Sequence, residues 1–467
     1  MEISSCPGCQ QRDALITSLQ QQVQELQEQV RQLREQVNRN SSNSSVPPSA
    51  NPLDAPKLLR KKRSGRKPGA QLGHEAHLRE LLPPDRIVHY RPTTCQHCQT
   101  PLSQTDDDND LEPMYHQVAE LPKVRAIITE HQAHACRCPC CGELTWGKIP
   151  EAARAHCIGP HLTAVMSLLS GCYRISRRGV EEIVENVFGV PVSLGTVVHL
   201  EQEVSAALAP AHKEAVEAVR QAEVKNVDET GWKQAGKKRW LWAAATTTVA
   251  AFVIGVSRSA KGLIALLGET IHGIVCSDRW SVYNRLAAAC RQLCWAHLTR
   301  DFRKCQERGG ASEAVGKGGL RVVRQLFRWW DAFRGGGSLD RAGLQANMEP
   351  VQRELRRLLE KGRGCADSAT ATFCANLLAW EESLWTFVRV EGVEPTNNHI
   401  ERQERPAVLW RKNSFGCQSA EGCRFVERML TVVQTLRLRR KPVLDYLHQS
   451  ILAHRAGCPA PKLLQWQ

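Results

Sequence analysis

At 467 residues the chain exceeds the length at which one hydrophobic core stops growing, so two to four folded units are expected. Lysine and arginine outnumber aspartate and glutamate by 62 to 48, a formal charge of +14 that suits a polyanionic partner, nucleic acid before anionic membrane. The longest uncharged apolar stretch, residues 240–257, is broken by Thr246, Thr247 and Thr248, which argues against a membrane span and for two paired strands.

Nineteen cysteines, odd in number, several in C-x2-C pairs and with no export signal read before them, point to zinc in a reduced cytoplasm rather than to disulfides. From Ile16 the apolar residues Ile16, Leu19, Val23, Leu26, Val30, Leu33 and Val37 recur at spacings of three and four, a heptad seam. β-Branched residues at a with leucine at d favour a parallel two-stranded coil, so residues 1–39 are read as a homodimerising coiled coil. A helix packed on its own domain is the competing reading. Cys6-x2-Cys9 precedes the coil, and a parallel dimer would bring two such pairs to one zinc ion.

Residues 40–56 carry too much Ser, Asn and Pro to bury a core. A basic run without acidic residues follows, and Gly65 and Pro68 discourage a helix there. Residues 40–80 are thus a flexible basic arm, with Lys61, Lys62, Arg63, Arg66 and Lys67 placed to meet phosphates or a minor groove; a solvated charge run is the plain alternative.

Cys95-x2-Cys98 and Cys138-x2-Cys141 supply four thiolates with the chemistry of structural Zn2+, which makes residues 81–150 a zinc-binding module. Cys136-x3-Cys140 is a rival second pair, and ordinary buried cysteine the simplest alternative. Residues 151–215 read as helical. A helix over 177–188, a turn at 189–192 and a second helix capped by Ser193 resemble a helix-turn-helix. Thr196 and His199 on the second helix would face base edges, and Arg174, Arg177 and Arg178 would hold phosphates.

The spacing predicts a strand over 223–228 ending in Asp228, two strands over 240–247 and 249–256, a helix near 263–269, and a strand over 273–278 ending in Asp278. Two aspartates at the ends of neighbouring strands could hold hard divalent cations through oxygen.

Four motifs then stand in order: residues 228–232 (DETGW), 277–283 (SDRWSVY), 294–298 (CWAHL) and 395–402 (PTNNHIER). With the heptads, the Asn/Ser tract, the arm and the C-x2-C pairs, they make nearly the whole chain resemble the IS66 family of bacterial insertion-sequence transposases. The resemblance implies a multidomain α/β chain whose RNase H-like core spans 216–300 and 393–467, with a helical insertion at 301–392. It places an Asp/Asp/Glu triad on Asp228, Asp278 and Glu401, binding Mg2+ or Mn2+ as both catalytic and metal residues. It further implies double-stranded DNA as partner, accessory proteins encoded beside this one, no membrane, and a cytoplasmic, nucleoid-associated location.

The 123-residue interval from Asp278 to Glu401 requires such an insertion, and residues 320–385 are helical with a break at Gly335, Gly336 and Gly337. Glu229, Glu391, Glu394 and Glu404 are nearby rivals to Glu401, which is preferred on the family signature. Arg402 and Arg405 are candidate DNA contacts. Asn397 and Asn398 are candidate orienting groups, and Trp295 and His297 candidate auxiliaries, with core packing the equal alternative for the last two. Cys290, Cys294 and His297 share a helical face on which packing is favoured over metal. The basic tail resembles the family, but Cys417 and Cys423 have no role the sequence explains. Two other readings compete with transposition: a DNA-binding regulator with an inert core, and a nuclease of the same fold that does not join strands.

Overall fold

A computed structural model describes residues 7–37, 40, 44–45, 80–102 and 112–467. Lys61, Lys62, Arg63, Arg66, Lys67 and Cys6 lie outside these residues. The chain divides into two units, one of residues 56–127 and one of residues 1–55 with 128–467. The first carries no helix or regular strand in its described parts, and has a turn after Cys95 closed by a bridge between Thr94 and Pro101.

The second unit begins with helix α1 (Pro7–Val37), whose seam residues Ile16, Leu19, Val23, Leu26, Val30 and Leu33 are all exposed. Strands β1 (Ala135–Arg137) and β2 (Leu144–Trp146) form a hairpin. Helices α2 (Glu151–Arg154) and α3 (Pro160–Ser167) follow, the latter running into a π-helical turn at 168–172. The next pair, α4 (Arg177–Phe188) and α5 (Leu194–Ala207), occupies the predicted spans. Ser176 and Ser193 cap their N-termini through hydrogen bonds to Gly179 N and Thr196 N, and Gly189 ends α4 in the left-handed conformation. Helix α6 (Ala209–Gln221) leads into the sheet.

Strands β3 (Val224–Gln234), β4 (Lys237–Ala245) and β5 (Ala250–Gly255) form an antiparallel meander. After helix α7 (Ala260–Leu267), β6 (Ile274–Ser277) pairs parallel to the start of β3, and β7 (Arg291–Leu293) pairs parallel to β6. The order is β5-β4-β3-β6-β7. One expectation needs correction: Asp228 does not end its strand. β3 continues to Gln234 because residues 228–234 pair in unbroken register with β4, and Ala235 and Gly236, both at positive φ, make the two-residue turn such a hairpin requires.

Helices α8 (Trp295–Arg308), α9 (Gly310–Phe333), α10 (Arg341–Gly362), α11 (Ser368–Ala379), α12 (Glu381–Leu384) and α13 (Thr386–Arg389) form the insertion. Their core is continuous with the sheet edge, since Cys276, Leu293 and Trp295 pack with Phe302, Leu326, Leu355 and Phe387. The α8–α9 crossing is close: a Cβ on Gly319 would overlap the Phe302 ring.

Helices α14 (Asn398–Ser414), α15 (Ala420–Leu438) and α16 (Val443–Arg455) complete the fold. α15 lies along the edge strand β5 and caps its outward N–H groups. Thr435 Oγ1 accepts from Ala250 N (3.1 Å), Thr431 Oγ1 from Phe252 N (3.1 Å) and Glu427 Oε1 from Ile254 N (2.5 Å). Four helical residues rise about 6 Å and two strand residues about 6.8 Å, so the two ladders stay in step. The edge that would otherwise recruit another strand is thereby closed.

Candidate active site

The site is built where β3, β6 and the start of α14 meet. The register pairs Asn226 with Cys276, so two residues further along the parallel strands Asp228 stands level with Asp278. Adjacent strands lie about 4.8 Å apart, which brings two carboxylates to one edge of the sheet. Asp278 follows the end of β6 directly. Its carboxylate accepts from Trp280 N (2.9 Å), and its carbonyl accepts from the buried Arg291 (2.7 Å), which also donates to Ser277 Oγ and Asn284 Oδ1.

Glu401 sits in the first turn of α14. The buried Asn397 fixes that turn: its Nδ2 donates to Val227 O (2.8 Å), its Oδ1 accepts from Asn226 Nδ2 (2.8 Å), and its backbone N–H meets Cys294 Sγ (3.1 Å). Pro395 O accepts from Trp295 N (2.9 Å), tying the preceding loop to α8. At the far end of α14, Arg411 donates to Gly231 O on β3.

The electrostatics follow from this convergence. Desolvation, then Glu229, Asp278 and Glu401, push the Asp228 carboxyl well above the usual carboxylate range. Glu404, one turn beyond Glu401, is buried with Oε1 unpartnered. Burial and then Asp228, Glu229 and Glu401 push it well up too. Glu229 is otherwise engaged, with Oε1 held by Arg258 (2.9 and 2.6 Å) and Oε2 accepting from Tyr283 (2.7 Å). Exposed Glu391 and Glu394 lie in the loop before α14 and are not among the charges that raise Asp228, whereas Glu229 and Glu401 are.

Like charges gathered around an orphaned buried oxygen are a donor set suited to hard cations. Among the described residues, no three metal-ligating side chains stand close enough to complete a shell as they are.

His297 Nδ1 lies 3.9 Å from Glu401 Oε1 and is buried without a hydrogen-bond partner. Desolvation, then Arg300, lowers its pKa against the opposing pull of Asp278, Glu401 and Asp301. Trp295 is a core residue, its Nε1 donating to Leu384 O (2.8 Å) and its ring against Trp385. Asn398 is exposed at the start of α14. Cys290 is exposed and Cys294 buried.

Among the other candidates, Arg178 and His199 are exposed. Arg177 pairs with the buried Glu201 at 2.7 Å, joining α4 to α5, and half-buried Thr196 shares its N–H and hydroxyl with Ser193. Arg402 and Arg405 are exposed on α14. The sequence does not single out Arg291, Arg258 or Tyr283. Tyr283 belongs to the SDRWSVY motif, but nothing in its spacing shows that it faces Glu229.

The two C-x2-C turns share one backbone frame. Cys95 N donates to Thr100 O and Gln99 N to Cys95 O, just as Cys138 N donates to Glu143 O and Gly142 N to Cys138 O. Gln99 and Gly142, at equivalent positions, both have positive φ. Hydrogen bonds lower the thiol pKa of Cys98, chiefly from the Thr100 side chain, and of Cys138, chiefly from the Cys141 backbone.

A family model described as Transposase IS66 family matches residues 157–424. The chain belongs to the IS66 transposase family. The matched span takes in Asp228, Asp278 and Glu401, and a second model, a family of unknown function (DUF6444), matches residues 6–80. Two curated relatives come from Sinorhizobium fredii. The uncharacterized protein y4qI is 29% identical over 248 residues, 48% of this IS66-family chain and 46% of its own length. The uncharacterized protein y4jD is 25% identical over 219 residues, 44% and 42% respectively. The chain thus matches about half the length of each. No helix among the described residues is long and apolar enough to cross a membrane.

Proposed function

We propose that the chain is a DDE transposase that cleaves DNA at insertion-sequence ends and joins the freed strand to target DNA. The observation that carries this reading is the register that sets Asp228 level with Asp278 while Asn397 fastens the helix bearing Glu401 to the same strand. A sheet of three antiparallel strands continued by two parallel ones, interrupted by a helical insertion before the last carboxylate, supports an RNase H-like core.

Asp228, Asp278 and Glu401 would hold Mg2+ or Mn2+, which when bound supplies Lewis-acid stabilisation of attacking and leaving oxygens in an in-line displacement at phosphorus. The protein's own groups do the rest. Arg291 and the Trp280 N–H fix the Asp278 peptide and carboxylate, and Asn397 sets the first turn of α14. His297, kept neutral by burial, presents an unpartnered ring nitrogen beside Glu401, where it can accept a proton from the attacking hydroxyl. Water attacks in the first step and the liberated 3′-hydroxyl in the second, so one site serves both.

DNA would be gripped by the basic arm (Lys61, Lys62, Arg63, Arg66, Lys67), by α4 and α5 as a helix-turn-helix through Arg178, Thr196 and His199, and by Arg402 and Arg405. Arg177 would contribute through its pairing with Glu201. The exposed seam of α1 supports a homodimeric coiled coil. Structural Zn2+ on Cys95, Cys98, Cys138 and Cys141 is supported, within each pair, by the common turn and the lowered thiol pKa. The enzyme would act in the bacterial cytoplasm at the nucleoid, with accessory proteins of the same element.

The test is cleavage of a plasmid carrying the element's terminal inverted repeats. Cleavage should require Mg2+ or Mn2+ and vanish in Asp228→Asn and Glu401→Gln while DNA binding persists. Equal cleavage by wild type and both variants would refute the triad. Pre-nicked ends that are hydrolysed but never joined would identify a nuclease instead.

A further inference from the structure

Between the helix-turn-helix region and the catalytic helix lies a cleft of about 400 Å³ lined by four arginines, Arg174, Arg402, Arg405 and Arg437, with Gln434 and no carboxylate. Among the described residues none of the four forms an ion pair, so the cleft concentrates positive charge that the protein leaves uncompensated.

Two of the heads are fixed by one residue: Arg174 donates to Cys172 O (3.1 Å) and Arg437 to Cys172 Sγ (2.9 Å). Arg174 also takes a φ of +64°, a left-handed conformation that costs a side-chain-bearing residue energy and that persists where surrounding structure imposes it. Arg402 and Arg405 share a face of α14 at i and i+3, and Arg405 lies about 6 Å along the axis from Glu401. Leu409, Leu438 and Pro406 add an apolar lining.

We propose that this cleft binds the phosphodiester backbone of the DNA strand passing the carboxylates, independently of its sequence. Guanidinium forks match phosphate oxygens in charge and geometry, and contacts made to phosphate carry no sequence information. The apolar lining suits a sugar. Because Arg174 lies two residues before Ser176, the cap of α4, and Arg402 follows Glu401, one bound backbone would register the DNA-reading helices against the catalytic helix. This rests on the transposase reading and adds to it a backbone clamp that includes Arg174, Gln434 and Arg437.

The experiment measures the full-length protein binding a mixed-sequence duplex across a salt series in Ca2+ or EDTA, so that cleavage plays no part. Removing one arginine–phosphate pairing should reduce the slope of log K against log salt by about 0.9. Arg405→Ala/Arg437→Ala should therefore bind at least tenfold more weakly with a slope lower by about 2, alike for every duplex sequence. Arg174→Gly relieves the backbone strain, so it should keep or gain thermal stability while the slope falls by about one unit.

An unchanged slope in both variants, with wild type still binding and cleaving DNA, overturns the clamp and leaves the transposase reading intact. No DNA binding by wild type overturns both. Inorganic phosphate that stabilises wild type but not the double variant, with DNA slopes equal, would make the cleft a free-phosphate site and overturn the backbone assignment.

Discussion

Replacing Asn397 with alanine tests how α14, the helix that carries Glu401, is positioned. The side chain is buried and makes two hydrogen bonds of 2.8 Å, one donated to Val227 O and one accepted from Asn226 Nδ2. Truncation removes both and leaves a buried carbonyl and a half-buried amide unsatisfied, at about 1–3 kcal/mol each, so a loss of roughly 2–6 kcal/mol is expected. Since Glu401 lies one turn on, the same change should loosen its alignment with Asp228 and depress metal-dependent DNA cleavage while leaving DNA binding nearly intact. Urea unfolding of Asn226→Ala, Asn397→Ala and the double variant isolates the pair, with a coupling energy of about 1 kcal/mol expected. A destabilisation of Asn397→Ala below about 0.5 kcal/mol, the ordinary surface range, with cleavage unchanged would refute the positioning argument.

Three further outcomes follow from the packing. Thr431→Val keeps shape but orphans the buried Phe252 N–H, and should cost about 1–3 kcal/mol by urea unfolding; a neutral result would remove the edge-capping role of α15. Glu427 is raised by burial from 4.5 to about 7. Its folded form therefore prefers the proton, and stability present below pH 4.5 is lost as pH rises through about 7, a loss of about 3 kcal/mol. Glu427→Gln should gain on wild type between pH 5 and 8, and a difference that stays flat across that interval would contradict the assignment. Gly319→Val forces a side chain into the Phe302 ring at the α8–α9 crossing and should lower stability by several kcal/mol, read as a fall in thermal midpoint.

The elements with the strongest local signals are legible in the sequence. Helices α4 and α5 carry their own caps and a left-handed glycine, and the β3–β4–β5 meander shows in its apolar, β-branched runs. The length of β3 is hidden, because Glu229, Thr230, Gly231, Lys233 and Gln234 carry no alternating apolar signal and are held extended by pairing with β4. The aspartates can be found as carboxylates after apolar runs, yet their juxtaposition depends on a parallel pairing between residues fifty apart. Glu401 owes its selection to the family signature. The structure adds what no spacing encodes: Asn397 bridging α14 to β3, Arg291 behind Asp278, Glu229 locked by Arg258 and Tyr283, and the buried, unpartnered Glu404.

The most direct test of the carboxylate site is a calorimetric Mn2+ titration of the full-length protein after chelator treatment, wild type beside Asp228→Asn, Asp278→Asn and Glu401→Gln. Wild type should bind divalent ions and gain stability with them, about 2.7 kcal/mol at a hundredfold excess over Kd. Each variant should lose that binding while its metal-free form is no less stable, since a mutual repulsion has been removed. Equal Mn2+ affinity in wild type and all three variants would contradict the assignment of Asp228, Asp278 and Glu401 as the metal site.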